Sequence, residues 1–184
     1  KGLAWNTVST YMRMLQAVYN RAVVRKLAAF IPHQFRDVFT GRKADHRRVL
    51  ERDDMQKLLV ERDPDITSPG MAWARACLEL MFRFHGMPFV DLAHLRKSDL
   101  KDGFLTLCRR KTGMPLSARV DGRAMQLLER YRNRDDTSPY LLCFLDGNLE
   151  GMAAYRDYQR ILRLLNSRLR VLALWKKVQG KVTS

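Results

Sequence analysis

The chain has 184 residues, 46% of them hydrophobic, enough to bury one good core or one domain plus part of another. Lys and Arg number 34 against 19 Asp and Glu, a formal net charge of +15, with an isoelectric point near 10.3. That excess points to a polyanionic partner, usually nucleic acid, and its spread along the chain argues against a membrane-surface role.

Three cysteines, Cys77, Cys108 and Cys143, lie far apart with no C-x-x-C spacing. Each sits among apolar neighbours, so all three are expected to be buried free thiols rather than a metal site or a disulfide, as fits a reducing cytoplasm. No apolar run reaches membrane-spanning length, and the N-terminus lacks a signal-peptide core. Neither a metal nor another cofactor is implied. Because the first residue is Lys, the sequence reads as a piece of a longer protein.

In chain order, Thr7 is placed to cap a helix to about Lys26, with Val8, Tyr11, Met12, Leu15, Tyr19 and Ala22 as its apolar stripe and Arg13 and Arg21 off it. The first forty residues offer this helix no partner. From Ile31-Pro32 to about Arg48 the periodicity disappears while Arg36, Arg42, Lys43, Arg47 and Arg48 accumulate. This reads as a basic interdomain linker, either solvated or facing phosphates. Asp53-Asp54 opens a short helix through Leu58-Leu59, the acids complementing its dipole. Ser68-Pro69 starts a strongly apolar helix with Trp73, Cys77, Leu80, Met81 and Phe84, broken by Gly86 and Pro88.

A short helix over Val90–Leu95 follows, and Ser98-Asp99 leads into a hairpin. Its strands are Thr106-Leu107-Cys108 and Leu116–Val120, and Arg109-Arg110-Lys111-Thr112-Gly113 form the turn. The Lys111 ammonium then stands where a phosphodiester can reach it, although solvated hairpin tips often carry Lys and Gly. Asp121 caps a further helix with Met125, Leu127, Leu128 and Tyr131. Met152 to Val178 is a long amphipathic helix, with Tyr158, Ile161, Leu162, Leu165, Leu169 and Leu172 on one face. Arg156, Arg160, Arg163, Arg170 and Lys177 line the opposite face, either a solvated ladder or a DNA contact. The expected fold is mainly α with a small antiparallel hairpin or sheet.

Several segments coincide with one family. Gly86–Leu100 resembles the G-x-x-x-x-[DE]-x-x-x-L-x-x-x-D-[IL] segment of phage-integrase-type tyrosine recombinases, with Asp91, Leu95 and Asp99 in register. Arg110-Lys111-Thr112-Gly113 follows at the family's distance and resembles its strand-turn lysine. Val49–Asp54 resembles the start of the catalytic domain. Thr7, Val8, Tyr11, Leu15, Tyr19, Asn20 and Ala22 resemble the last helix of the DNA-clamping core-binding domain. The Pro88-Phe89-Val90-Asp91 wording is similar to integrases of mobile elements.

The resemblance implies a domain plan: residues 1–30, the C-terminal helix of a core-binding domain; 31–48, the basic linker; and 49–184, the first part of the catalytic domain. It also implies a chemistry in which a tyrosine attacks a DNA phosphodiester, cations stabilise the transition state and the hairpin lysine protonates the leaving oxygen, with no metal or ATP. Lys111 matches that lysine. The column usually filled by the first arginine holds Pro88, and the position directly before the glycine, where the mobile-element branch carries Arg, holds His85. His85 is a candidate phosphate donor or else a buried or capping histidine, and Arg83 lies two residues earlier on a different helical face.

The implied DNA-binding set is Arg36, Arg42, Lys43, Arg47, Arg48, Arg96, Lys97, Arg109, Arg110 and Arg119. The H-x-x-R box and the nucleophile are expected downstream of Val182-Thr183-Ser184. The string His33-Gln34-Phe35-Arg36 is read as coincidence, and none of the six tyrosines has the nucleophile's placement. The expected partner is double-stranded DNA, with self-association on it for the intact protein and no membrane; this piece by itself is expected to bind DNA without cleaving it. The rival readings are a non-catalytic DNA-binding module or degenerate recombinase with a regulatory role, and an RNA-binding helical protein, although no RRM or KH signature is present.

Overall fold

The computed structural model describes residues 2–42, 50–59, 68–178 and 182. The chain divides into two units, residues 1–47 and 48–184.

The first unit holds helix α1, Trp5–Val24. It starts two residues before Thr7, with Ala4 in the extended region at its N-terminus, so Thr7 sits inside the first turn rather than capping it. A residue in the left-handed region, Lys26 (φ 58°), ends the helix, and Leu27 N–H closes the turn on the Ala22 carbonyl. The described part of the expected linker is not extended. Residues 29–41 turn back along α1, held where the Tyr19 hydroxyl donates to the Ala29 carbonyl (2.8 Å) and accepts from Ile31 N–H (2.7 Å). Further along, Trp5 meets Phe39 edge-on and Ser9 Oγ donates to the Gly41 carbonyl at 2.5 Å.

Thus α1 does have a partner within the first forty residues, which sequence periodicity does not disclose. The covered stripe is Val8, Ser9, Met12, Gln16 and Tyr19, while Tyr11 and Leu15, expected on the packed face, stand more than half exposed beside Met14 and Val18.

The second unit is mainly α with one three-stranded antiparallel sheet. Its helices are α2 (Arg52–Leu59), α3 (Pro69–Arg83), α4 (Phe89–Ala93), α5 (Gly122–Arg130) and α6 (Gly151–Trp175). Its strands are β1 (Leu100–Lys101), β2 (Phe104–Cys108) and β3 (Pro115–Arg119), in the order β1-β2-β3. Proline at the first position of α3 sets its φ and needs no hydrogen-bond acceptor for a missing N–H. Nine residues of α3 are buried, and α6 and α5 pack against it, so α3 is the central element. The helix ends on two left-handed residues, His85 (φ 57°) and Gly86 (φ 73°), with Gly86 N–H returning to the Met81 carbonyl.

The core joins Leu80, Phe84, Leu92 and Leu95 to Leu165, Leu169 and Leu172 of α6. Leu105 of β2 pairs with Ala118 of β3 and both face this core, so the sheet covers it on one side. Asp102 and Gly103, both at positive φ, make the tight turn from β1 to β2. Residues 131–150 have no long regular element yet are tied in by Leu141 N–H to the Leu95 carbonyl (2.7 Å) and bury Leu141, Leu142, Phe144 and Leu145.

A further expectation fails in the cysteines. Of the three cysteines only Cys77 is buried, while Cys108 and Cys143 are exposed. Cys108 ends an alternating strand on its outward side, and Cys143 points out of the irregular segment between buried neighbours, so apolar sequence context misreads both.

Candidate nucleic-acid interface

The hairpin that carries Lys111 is closed by Arg109 N–H to the Met114 carbonyl (2.9 Å) and Gly113 N–H to the Arg109 carbonyl (2.7 Å). Gly113 adopts φ 69°, which a side chain would strain although there is open space around it. Residues 110–115 are exposed, and the Lys111 side chain stands in solvent at the tip, as the spacing predicts.

The hairpin's position is set from α4. Asp91, only 2% exposed, accepts the Arg110 N–H through Oδ1 at 2.9 Å, across nineteen residues of sequence. Its other oxygen, Oδ2, is buried without a hydrogen-bond partner. The residue adjoining Lys111 is therefore fastened to a buried carboxylate, and the lysine does not simply ride on a free loop. Asp91, His94, Arg96, Leu107, Cys108 and Arg110 line a cavity of about 160 Å³ at this junction. His94 Nδ1 lies 2.7 Å from the Val90 carbonyl and must carry the proton there. Burial lowers the His94 pKa; the bond to Val90 opposes that, Arg110 adds to it, and Asp91 opposes it.

The remaining predicted residues fall into distinct groups. Arg96 and Arg110 come together at the cavity, and Arg110 and Arg119 are exposed on the hairpin, with Arg109 partly covered at its base. Lys97 is engaged internally, its Nζ donating to the Asp135 carbonyl at 2.6 Å. Arg36 and Arg42 are exposed in the first unit, while Lys43, Arg47 and Arg48 lie outside the described residues.

His85 is exposed, which excludes the buried alternative and leaves it in the closing turn of α3. Arg83 is committed to the fold. Its Nε donates to Glu79 Oε1 (3.0 Å) and its Nη1 to Asp121 Oδ2 (2.6 Å). Glu79, buried, also accepts from Arg123 Nε at 3.1 Å. Asp121 caps α5 through Ala124 N–H at 2.7 Å, and that bond holds its carboxyl below the ordinary carboxylate range; desolvation opposes the effect and Arg83 reinforces it.

Sequence reasoning missed the Asp91–Arg110 tie and Arg123. The Glu79–Arg83 spacing of four is a legible helical pair, but the third member, Arg123, joins only when α5 docks on α3. Among the described residues no helix is long and apolar enough to cross a membrane, and no cluster of three or more His, Cys, Asp or Glu has metal-holding geometry.

No protein-family model matches the chain, and no curated protein matches it. Among solved structures it is similar to the crystal structure of a lambda integrase dimer bound to a COC′ core site, at 17% sequence identity and a TM-score of 0.56. The match covers 87% of this chain and 55% of that one, so the chain spans about half the length of the integrase it resembles. The likeness is one of fold: helices around a small antiparallel sheet, as in an integrase catalytic domain.

Proposed function

We propose that this chain is the DNA-binding and partial catalytic portion of a tyrosine-type DNA recombinase that acts in DNA integration in the cytoplasm. The observation that carries the reading is the exposed Lys111 hairpin, anchored to buried Asp91, in a fold like that of lambda integrase. In this reading residues 1–30 contribute the last core-binding helix, 31–48 join the two parts, and 49–184 begin the catalytic domain. Lys111 is the proton donor to the leaving oxygen: an alkoxide leaving group needs a proton, and an ammonium on a fixed turn delivers it with little reorganisation. Arg109 and Arg110 flank it, Arg96 lines the same cavity as Arg110, and Arg119 stands at the far end of the hairpin opposite Phe104, all as phosphate contacts; Arg36 and Arg42 supply further cations in the first unit, and the intact protein self-associates on duplex DNA. Strand scission needs a nucleophilic tyrosine that none of the six present supplies, so no covalent adduct forms on a suicide substrate.

A second reading has its own support. Arg83 is neutralised by Glu79 and Asp121, and Pro88 occupies the usual arginine column, as a non-catalytic DNA-binding module would allow. An H-x-x-R box and a tyrosine encoded downstream of Ser184 favour the enzyme, and their absence from the gene favours the module.

Both readings require duplex binding, measured by fluorescence anisotropy at several salt concentrations. Affinity should fall steeply with salt, and Lys111→Ala should weaken binding similarly across sequences and reduce the magnitude of the log–log slope by about 1. A flat salt response refutes the phosphate contacts, and duplex RNA binding as tightly as duplex DNA refutes the recombinase assignment.

A further inference from the structure

The first unit contains a cavity of about 330 Å³ between α1 and its returning segment, well away in sequence from the lysine hairpin. Three carboxamides line it: Gln16 and Asn20, one turn apart on α1, and Gln34 from the return. Phe30, Tyr19 and Phe35 supply aromatic walls. Tyr19 and Phe35 lie 5.8 Å apart, and the two backbone bonds of the Tyr19 hydroxyl fix the angle between helix and return. His33 and Arg36 complete the rim, so the string set aside in the sequence as coincidence reappears as one side of a cavity.

The side chains of Gln16, Asn20, Gln34, His33 and Arg36 make no hydrogen bond to any described residue. His33 is moreover held at φ 59°, a left-handed conformation that non-glycine residues seldom adopt. The cavity is thus held by the two bonds of the Tyr19 hydroxyl to the returning backbone, while among the described residues the polar side chains around it have no hydrogen-bond partner.

We infer that this cavity binds a nucleobase of an unpaired DNA strand or of a free nucleotide. A carboxamide presents a donor and an acceptor side by side, the pattern that a base edge complements, and aromatic side chains supply stacking surfaces for any sequence. The guanidinium of Arg36 suits the attached phosphate, in a unit with nine Lys and Arg against two Asp. The volume lies at the lower end of small-ligand sites and admits one base with part of its sugar, not a stacked pair. A base within a duplex offers neither its face nor its pairing edge, so the ligand is an unpaired one. This inference is independent of the role given to Lys111, because the residues that carry it all belong to the other unit.

The test uses the full chain and a fluorescein-labelled single-stranded oligodeoxynucleotide, compared with its duplex of equal length. Gln34→Ala and Phe30→Ala alter exposed side chains, and circular dichroism verifies that each variant folds. Each should weaken single-strand binding about five- to a hundredfold, since one removes a base-edge hydrogen bond and the other a stacking surface, and leave duplex affinity within about twofold. Displacement of the labelled strand by a mononucleotide supports the site and assigns it to free nucleotides as well; failure to displace, with the single-strand loss retained, supports the site and assigns it to bases within a strand. Unchanged single-strand affinity in both variants, or equal losses for strand and duplex, overturns the inference. Loss of duplex binding with salt remains a separate readout, so failure here leaves the recombinase reading standing or falling by itself.

Discussion

Replacing Glu79 tests whether Arg83 is structural or reserved for DNA. The Glu79 carboxylate is buried and receives the Nε groups of Arg83 and Arg123 at 3.0 and 3.1 Å, with a longer contact from Arg123 Nη2 at 3.4 Å. Two good charge-assisted bonds at about 1.5–3 kcal/mol each set an upper bound of about 3–6 kcal/mol for Glu79→Ala. The guanidinium side chains of Arg83 and Arg123 are 33% and 23% exposed, so water recovers part of that loss and the expected cost is about 2–4 kcal/mol. For a chain of this size that corresponds to a fall in melting temperature of about 4–16 °C, followed by far-ultraviolet circular dichroism with urea unfolding as the independent measure. Arg83→Ala should cost less, about 1–2 kcal/mol, because Arg123 remains to neutralise Glu79, and it should leave duplex affinity within about twofold. A Glu79→Ala loss below about 1 kcal/mol refutes the network's structural role. A large drop in DNA affinity for Arg83→Ala, with the fold intact, shows that the arginine also serves the ligand.

Other outcomes follow from the same geometry. Asp121 has its carboxyl pKa depressed in the fold, so its stabilising contribution is complete above the unfolded value of about 3.9 and is lost as pH falls through the lower folded value. Asp121→Asn keeps the cap but should flatten the acid limb of the stability–pH curve measured by urea unfolding; an unchanged acid limb contradicts this. A Cβ on Gly147 would lie 2.5 Å from Ser138 Oγ and 2.9 Å from Pro139 Cδ, against a buried serine. Gly147→Ala should therefore destabilise by about 1–3 kcal/mol, and a neutral melting curve contradicts that close approach. Alkylation of the native protein by iodoacetamide should label Cys108 and Cys143 and spare Cys77, whose thiol pKa is pushed up by burial and by Cys143, until urea exposes it; mass spectrometry reads the sites, and native labelling at Cys77 is the contrary result.

The helices of the second unit are legible in the sequence because their cues are local. Pro69 starts α3, Gly86 helps end it, Asp121 caps α5, and the leucine spacing of α6 predicts its buried face. β1 escapes because it is two residues long, although Asp102-Gly103 is a strong hairpin signal that marks it. The return along α1 is hidden for a different reason: its cohesion comes from single contacts such as Tyr19 with Ala29 and Ile31, which have no periodicity. At the site, Lys111 is legible because a turn exposes its own tip. The Asp91 tie and the Arg123 partnership depend on elements nineteen and forty-four residues apart meeting in space. Cys108 and Cys143 show that apolar neighbours in sequence do not make a residue buried when a strand alternates or an irregular segment turns.

The Asp91 tie grips residue 110 by its main-chain amide and leaves the guanidinium uninvolved. As far as that one bond is concerned, substitutions at the position are divided by backbone chemistry and not by size or charge. Nineteen amino acids can supply the amide and keep the turn docked, each giving the neighbouring lysine a different flank. Proline alone removes the hydrogen and casts the loop adrift. The side chain at such a position can change while the lysine beside it keeps its place.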